Sequence, residues 1–363
     1  MTSAAPRQPT LKDVARRAGV SVTTVHIALT ERRDGVRVPE HTRERVRRIA
    51  EEVGYRPNIL ARNLKTRRTS TIGFVSDQIT TTPFAVAMLG AAQDEAARRG
   101  YLLLVVNVGA QAPSSVQRQA VDLLLQQRVE GMIYACMYHQ VVTPPPGLPP
   151  STVLLNAADA DEVYRGIVPD DRQGGHDAVK HLAEAGHRRI AFLDDEGGVV
   201  AARLRHRGYV EALDEVGVDP DPRWHVAAAA NVRGGLEIDR FLDLPPESRP
   251  TAIFCFNDRQ AMGAYRVARR RGLTIPDDLS IVGFDDQEYL ASELDPPLTT
   301  MRLPHEEMGR RAVRLLLDEA DPGEQDADDH AVRVHCPLVR RESVAPPAVI
   351  MQSPLIMQST SIK

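Results

Sequence analysis

Cysteine is scarce and scattered in this sequence: the 363-residue chain has three, Cys136, Cys255 and Cys336. None stands in a CxxC pair or at a Cys/His ligand spacing, so neither a disulfide framework nor a zinc site is supported. Long apolar runs are also lacking. No segment approaches the ~20 apolar residues of a membrane-spanning helix, and the N-terminal MTSAAPRQPTLKDVARR has no apolar core of a secretory signal. The chain is therefore expected in the cytoplasm, without membrane contact. Catalytic signatures are missing as well: there is no GxSxG elbow, P-loop or HExxH, and His176, His181 and His187 are not spaced to align two ligands on one helix face. Asp194, Asp195 and Glu196 read more simply as an acidic loop closing a strand than as a metal site. No enzyme, cofactor or resident metal is expected.

What is present is a globular composition, 42% hydrophobic and 26% charged, on a chain too long for one ordinary core. Its net charge of −4 hides an asymmetry. Residues 1–70 carry 16 Lys or Arg against 7 Asp or Glu, a balance of +9, which leaves 29 against 42, or −13, for the rest. A basic head on an acidic body fits attraction to phosphate at one end only.

The head reads as helices. Thr10 and Asp13 form a capping box ahead of the stripe Leu11, Val14, Ala15 and Ala18, and Gly19 suits the turn that follows. Ser21 can cap a second helix, Val22 to Leu29, giving a helix-turn-helix. A third helix, Glu40 to Glu52, buries Val46, Ile49 and Val53 and stops at Gly54. Residues 58–65 are helix-compatible but too short to be stable alone. From Ile72 apolar strands alternate with amphipathic helices, at 72–75, 102–106, 132–135, 153–155, 190–193, 253–256 and 281–284, which argues for parallel α/β sheets. There is no internal repeat.

TLKDVARRAGVSVTTV (10–25) closely resembles the helix-turn-helix of the LacI-type family of lactose and purine repressors. EHTRERVRRIAEEVGYRPN (40–58), GHRRIA (186–191), CFNDRQAMGA (255–264), IPDDLSIVGFDD (275–286) and PPLTTM (296–301) match the same family in order. The resemblance implies an all-α helix-turn-helix head and an α/β sensor of two doubly wound parallel-sheet lobes, periplasmic-binding-protein-like. It also implies a transcriptional regulator, most simply a repressor, that binds a pseudo-palindromic double-stranded DNA operator as a homodimer under control of a small polar effector. The corresponding domains are a flexible 1–9, a DNA-binding head at 10–56, a hinge at 57–70, a sensor at 71–344 and a disordered tail at 345–363. Within the sensor, lobe 1 is expected at 71–168 and 299–328, and lobe 2 at 169–298 and 329–344.

On the second helix, Val22, Thr23, His26 and Ile27 are the base-reading candidates, with Ser21 and Thr24 on phosphates. The alternative is a rotated helix with Val22 and Ile27 in the core. His26 and Ile27 stand where the family usually has Ser-Arg, and the loop from Thr30 is about three residues longer than expected, so the operator should differ there. Asn58, Leu64 and Lys65 fall in the hinge, where the resemblance makes Leu64 a minor-groove wedge; the alternative is packing in a permanently folded linker.

In the sensor, doubly wound lobes bind ligands at strand C-termini. Asn257 and Asp285 follow apolar strands, and Arg205 precedes Gly208 by three. By resemblance these three, with Phe84 and Asn156, face the effector. Asn257 and Asp285 could instead cap following helices, and Arg205 could form a structural salt bridge. Ala230 stands where sugar-binding relatives place a stacking aromatic, which weakens the reading of a plain sugar as ligand.

Overall fold

The computed structural model describes residues 9–29, 38–55, 68–78, 86–109, 112–317 and 331–347. The chain divides into two compact units between Thr69 and Ser70.

In the first unit three helices, α1 (Leu11–Ala18), α2 (Val22–Leu29) and α3 (Glu40–Glu52), bury Val14, Ala18, Val25, Ala28, Val46 and Ile49 in one small core. The Thr10 amide and hydroxyl both donate to the Asp13 carboxylate, at 2.9 and 2.7 Å, and these bonds hold that carboxyl below its ordinary pKa. Gly19 takes the left-handed conformation, φ 61°, that ends α1. Ser21 Oγ accepts the Thr24 amide at 3.0 Å and so caps α2. Pro39 enters α3 with no side-chain cap.

Among the described residues, the second unit holds two six-stranded sheets. In chain order its elements are β1 (Thr71–Asp77), α4 (Val86–Arg98), β2 (Leu102–Val108), α5 (Ser114–Gln126), β3 (Gly131–Val142), β4 (Thr152–Asp159), β5 (Arg165–Pro169), α6 (Asp171–Glu184), β6 (Ile190–Asp195), α7 (Val200–Glu215), β7 (His225–Ala228), α8 (Asp239–Leu242), β8 (Ala252–Cys255), α9 (Asp258–Arg270), β9 (Ser280–Asp285), β10 (Thr299–Arg302), α10 (His305–Leu317), β11 (Ala331–Val334) and β12 (Leu338–Val339). Lobe 1 is ordered β2-β1-β3-β4-β5-β11 and lobe 2 β7-β6-β8-β9-β10-β12, so the lobes share one topology with no repeat in sequence. Among the described strands only β12 runs antiparallel to its neighbour. Strands buried on both faces divide their side chains between two layers. In lobe 1, Ile72 and Phe74 pack with Met88, Met308 and Ala312, while Val75 packs with Val121 and Leu124. In lobe 2, Phe192 and Phe254 pack with Leu182 and Tyr209, while Leu193 and Ile253 pack with Phe241 and Val267.

The lobe boundaries differ from expectation near the end. Thr299–Arg302 pairs with β9 and belongs to lobe 2, whereas Ala331–Val334 pairs with β5 and belongs to lobe 1. The chain therefore crosses between lobes at Asp170, at 303–304 and at 335–337. The start of the tail, expected at residue 345, is instead built into lobe 2. His187 Nε2 contacts the Ala345 carbonyl at 2.8 Å, and the Ala345 amide donates to Ser280 Oγ at 3.1 Å, so ordered chain extends beyond 344.

Candidate functional site

In the head, α2 turns Val25 and Ala28 inward and leaves Val22, Thr23 and His26 exposed. Val22, 41% exposed, is not a core residue. Ile27 is half-buried against the head's core, at the margin between the buried and the exposed faces of α2. Ser21 Oγ and Thr24 Oγ1 lie 2.8 Å apart. Asn58, Leu64 and Lys65, and the long loop after α2, lie outside the described residues, as does Phe84.

The second site gathers at the C-terminal strand ends where the lobes face each other. Its floor is Asp171, the first residue of α6, which is fully buried. Arg205 of α7 donates from Nε to Asp171 Oδ1 at 2.8 Å and from Nη1 to the Phe256 carbonyl at 2.6 Å. Its guanidinium lies between the rings of Phe284 and Phe256, 3.5 and 4.5 Å from their centroids. Burial works to raise the Asp171 pKa, but Arg205 and His139 outweigh it and hold the carboxyl ionised, below its ordinary range. Arg205 thus does form the buried ion pair, with a second carboxylate, Asp285, 3.9 Å from Nη1.

Close helix packing makes this geometry possible. A Cβ on Gly175 of α6 would come within 2.4 Å of the Arg205 carbonyl, and one on Gly208 of α7 within 2.2 Å of the Arg172 carbonyl. Only glycine lets the two helices approach so nearly.

Asp285 ends β9 with φ 111° and is followed by a loop rather than a helix, so it caps nothing. Its Oδ2 accepts from the Gln287 side-chain amide at 2.8 Å, and burial pushes its pKa up to about 6 against the pull of Arg205. Beneath it, burial and then Asp285 itself push Asp258 well up. Asn257 takes up the capping alternative. Its Oδ1 accepts the Gln260 amide at 2.9 Å and its Nδ2 donates to the Ala230 carbonyl at 3.1 Å. Asn257 thus caps α9, and its amide keeps a second N–H and a second lone pair at the strand end.

On the lobe 1 side, Asn156 has φ 58° and donates from Nδ2 to the Cys136 and Met137 carbonyls, at 3.2 and 3.1 Å. Its Oδ1 is buried with no partner among the described residues, which leaves an acceptor in need of a donor. Asp77, at the end of β1, was not anticipated. It accepts the Met137 amide at 2.7 Å, and burial raises its pKa. It lines a cavity of about 250 Å³ with Val108, Gln117, Tyr134, Cys136 and Gln140. The rule that found Asp285, a polar residue closing an apolar strand, applies equally to Asp77. His139 and Asp171 carry no such signal, since only the fold makes them neighbours.

Residues 10–58 match the lacI family of bacterial regulatory proteins, and 179–344 match the periplasmic binding protein-like domain. The transcriptional repressor PurR of Mannheimia succiniciproducens is 32% identical over 92% of this chain and 98% of its own length. The repressor CytR of Escherichia coli K12 is 34% identical over 85% of this chain and 89% of its own. A solved lac repressor dimer, bound to operator and the anti-inducer ONPF, superposes with a TM-score of 0.71 at 27% identity, covering 93% of this chain and all of that one. The chain belongs to the lacI family. It is a DNA-binding transcriptional repressor with a helix-turn-helix head and a two-lobed sensor, and not an enzyme.

Proposed function

We propose that this repressor binds a pseudo-palindromic operator as a homodimer in the cytoplasm, and that a small polar metabolite in the cleft between the lobes sets its affinity for that operator. The observation that carries the operator reading is the division of α2, which buries Val25 and Ala28 while presenting Val22, Thr23 and His26. Val22 suits a thymine methyl, Ser21 and Thr24 suit phosphates, and the hinge residues Asn58, Leu64 and Lys65 suit a kinked central step.

A pseudo-palindrome requires two heads, hence two chains. Exposed apolar residues on the edge strand β2 and on α5, Leu102, Val105, Val116 and Leu123, support a surface of the sensor for the second copy. Effector contact is assigned to Arg205, Asn257, Asp285 and Asn156, with Phe84 by family position and Asp77 added from the geometry. A guanidinium donor among carboxylate and amide acceptors suits a ligand rich in hydroxyl or amino groups. The lac repressor's operator complex and its ligand lend this reading support by likeness.

The test is selection of the purified protein on random duplexes at two salt concentrations, with and without a panel of sugars, nucleosides and purines. One enriched inverted repeat, gained or lost with a single ligand, is the expected result. No enrichment at either salt, or enrichment that no ligand alters, sinks the operator or the effector half of the reading respectively.

A further inference from the structure

β3 departs from regular pairing inside lobe 1. It is in register with β4 up to Ala135 opposite Leu155, then resumes at Gln140 opposite Ala157. Four residues of β3 thus stand against Asn156 alone, an enlarged bulge. Side chains from both flanking strands pin it: Asp77 of β1 accepts the Met137 amide, and Asn156 of β4 donates to the carbonyls of Cys136 and Met137. A bulge re-aims the side chain that follows it, and here that side chain is His139. Its Nδ1 lies 2.7 Å from Asp171 Oδ2, across the lobe boundary, and both residues are buried. The other oxygen of the same carboxylate receives Arg205.

We propose that His139 is a latch between the lobes: its bond to Asp171 favours the closed cleft before any effector is present and fixes the carboxylate that positions Arg205. The geometry makes this a bond that opening must break. Asp171 lies at the first crossing between lobes, so a separation that swings lobe 2 about the crossings draws Oδ2 from the ring and leaves a buried carboxylate with one partner instead of two. A hydrogen bond to a charged group of this kind shifts an open-to-closed ratio by about tenfold. The consequence for regulation rests on the effector reading of the cleft; the latch itself does not.

The test reads the interlobe distance in full-length protein without DNA or ligand. Ser115, in the first turn of α5, and Arg233, after β7, are exposed residues following the outermost strands of the two lobes. Ser115→Cys and Arg233→Cys accept spin labels, while the three native thiols are buried. Labelled chains are diluted into unlabelled ones so that electron double resonance reads distances within one chain. His139→Phe removes the donor and is expected to move population, about tenfold in the open-to-closed ratio, toward a longer distance. His139→Asn, whose amide nitrogen stands near the place of Nδ1, is expected to restore the short one. If the phenylalanine variant does not fold, His139→Ala takes its place. Identical distributions in the three proteins, or an asparagine variant no closer to wild type than the phenylalanine or alanine one, overturn the latch. Because no operator or effector enters this measurement, the duplex selection can fail without affecting it, and the reverse.

Discussion

His187 shows at residue scale how a familiar motif serves the fold. Its ring contacts Thr251 Oγ1 at 2.8 Å, Ser280 Oγ at 3.0 Å and the Ala345 carbonyl, and it ties the segment after β12 to lobe 2. Burial lowers its pKa below the ordinary 6.5. The folded protein therefore holds it neutral where the unfolded chain binds a proton, so its contribution is complete above that pH and is lost as pH falls through it. Against His187→Gln, which cannot titrate, the stability advantage of the wild type should shrink between about pH 7.5 and about pH 5.5 in urea melts. A constant gap would mean the ring does not titrate separately in the two states. The motif containing this residue was legible in the sequence, but its burial was not, because Thr251, Ser280 and Ala345 are distant along the chain.

At the scale of elements, the seven strands read from apolar runs are all present, β8 offset by one residue from its run and β3 and β4 extending well beyond theirs. The strands that went unread are short or weakly apolar: β5 is interrupted by glycine and ends in proline, β7 is HVAA, and β11 alternates with an arginine. Pairing with a neighbour, rather than local preference, makes them strands. The site followed the same division. Arg205, Asp285 and Asn156 stood in motifs or at strand ends, whereas the α6–α7 contact that aims Arg205 depends on two glycines whose meaning appears only when the helices meet. Gly208→Ala would drive a methyl into the Arg172 carbonyl and should destabilise the protein by about 1–3 kcal/mol, read as a lower urea midpoint with unchanged slope. An unaltered midpoint would show that the helices can separate without cost.

At the scale of the whole molecule, the sensor's lobes are not independent lengths of chain. Three crossings join them, and α10, which follows the second, supplies Met308, Ala312 and Val313 to the core of lobe 1. The sensor should therefore melt as one cooperative unit, with a single endotherm in calorimetry and agreement between the calorimetric and van't Hoff enthalpies. Separate transitions for lobe 1 and lobe 2 would contradict that coupling.

The same interleaving sets a schedule for synthesis. Domains that are continuous in sequence can fold in turn as they leave the ribosome, but lobe 1 here lacks a helix of its core and its β11 edge until residue 334 has emerged, long after lobe 2 has begun. Most of the nascent sensor thus exposes the apolar face that α10 will cover, and the interval before the last crossing is when the chain most needs protection from aggregation.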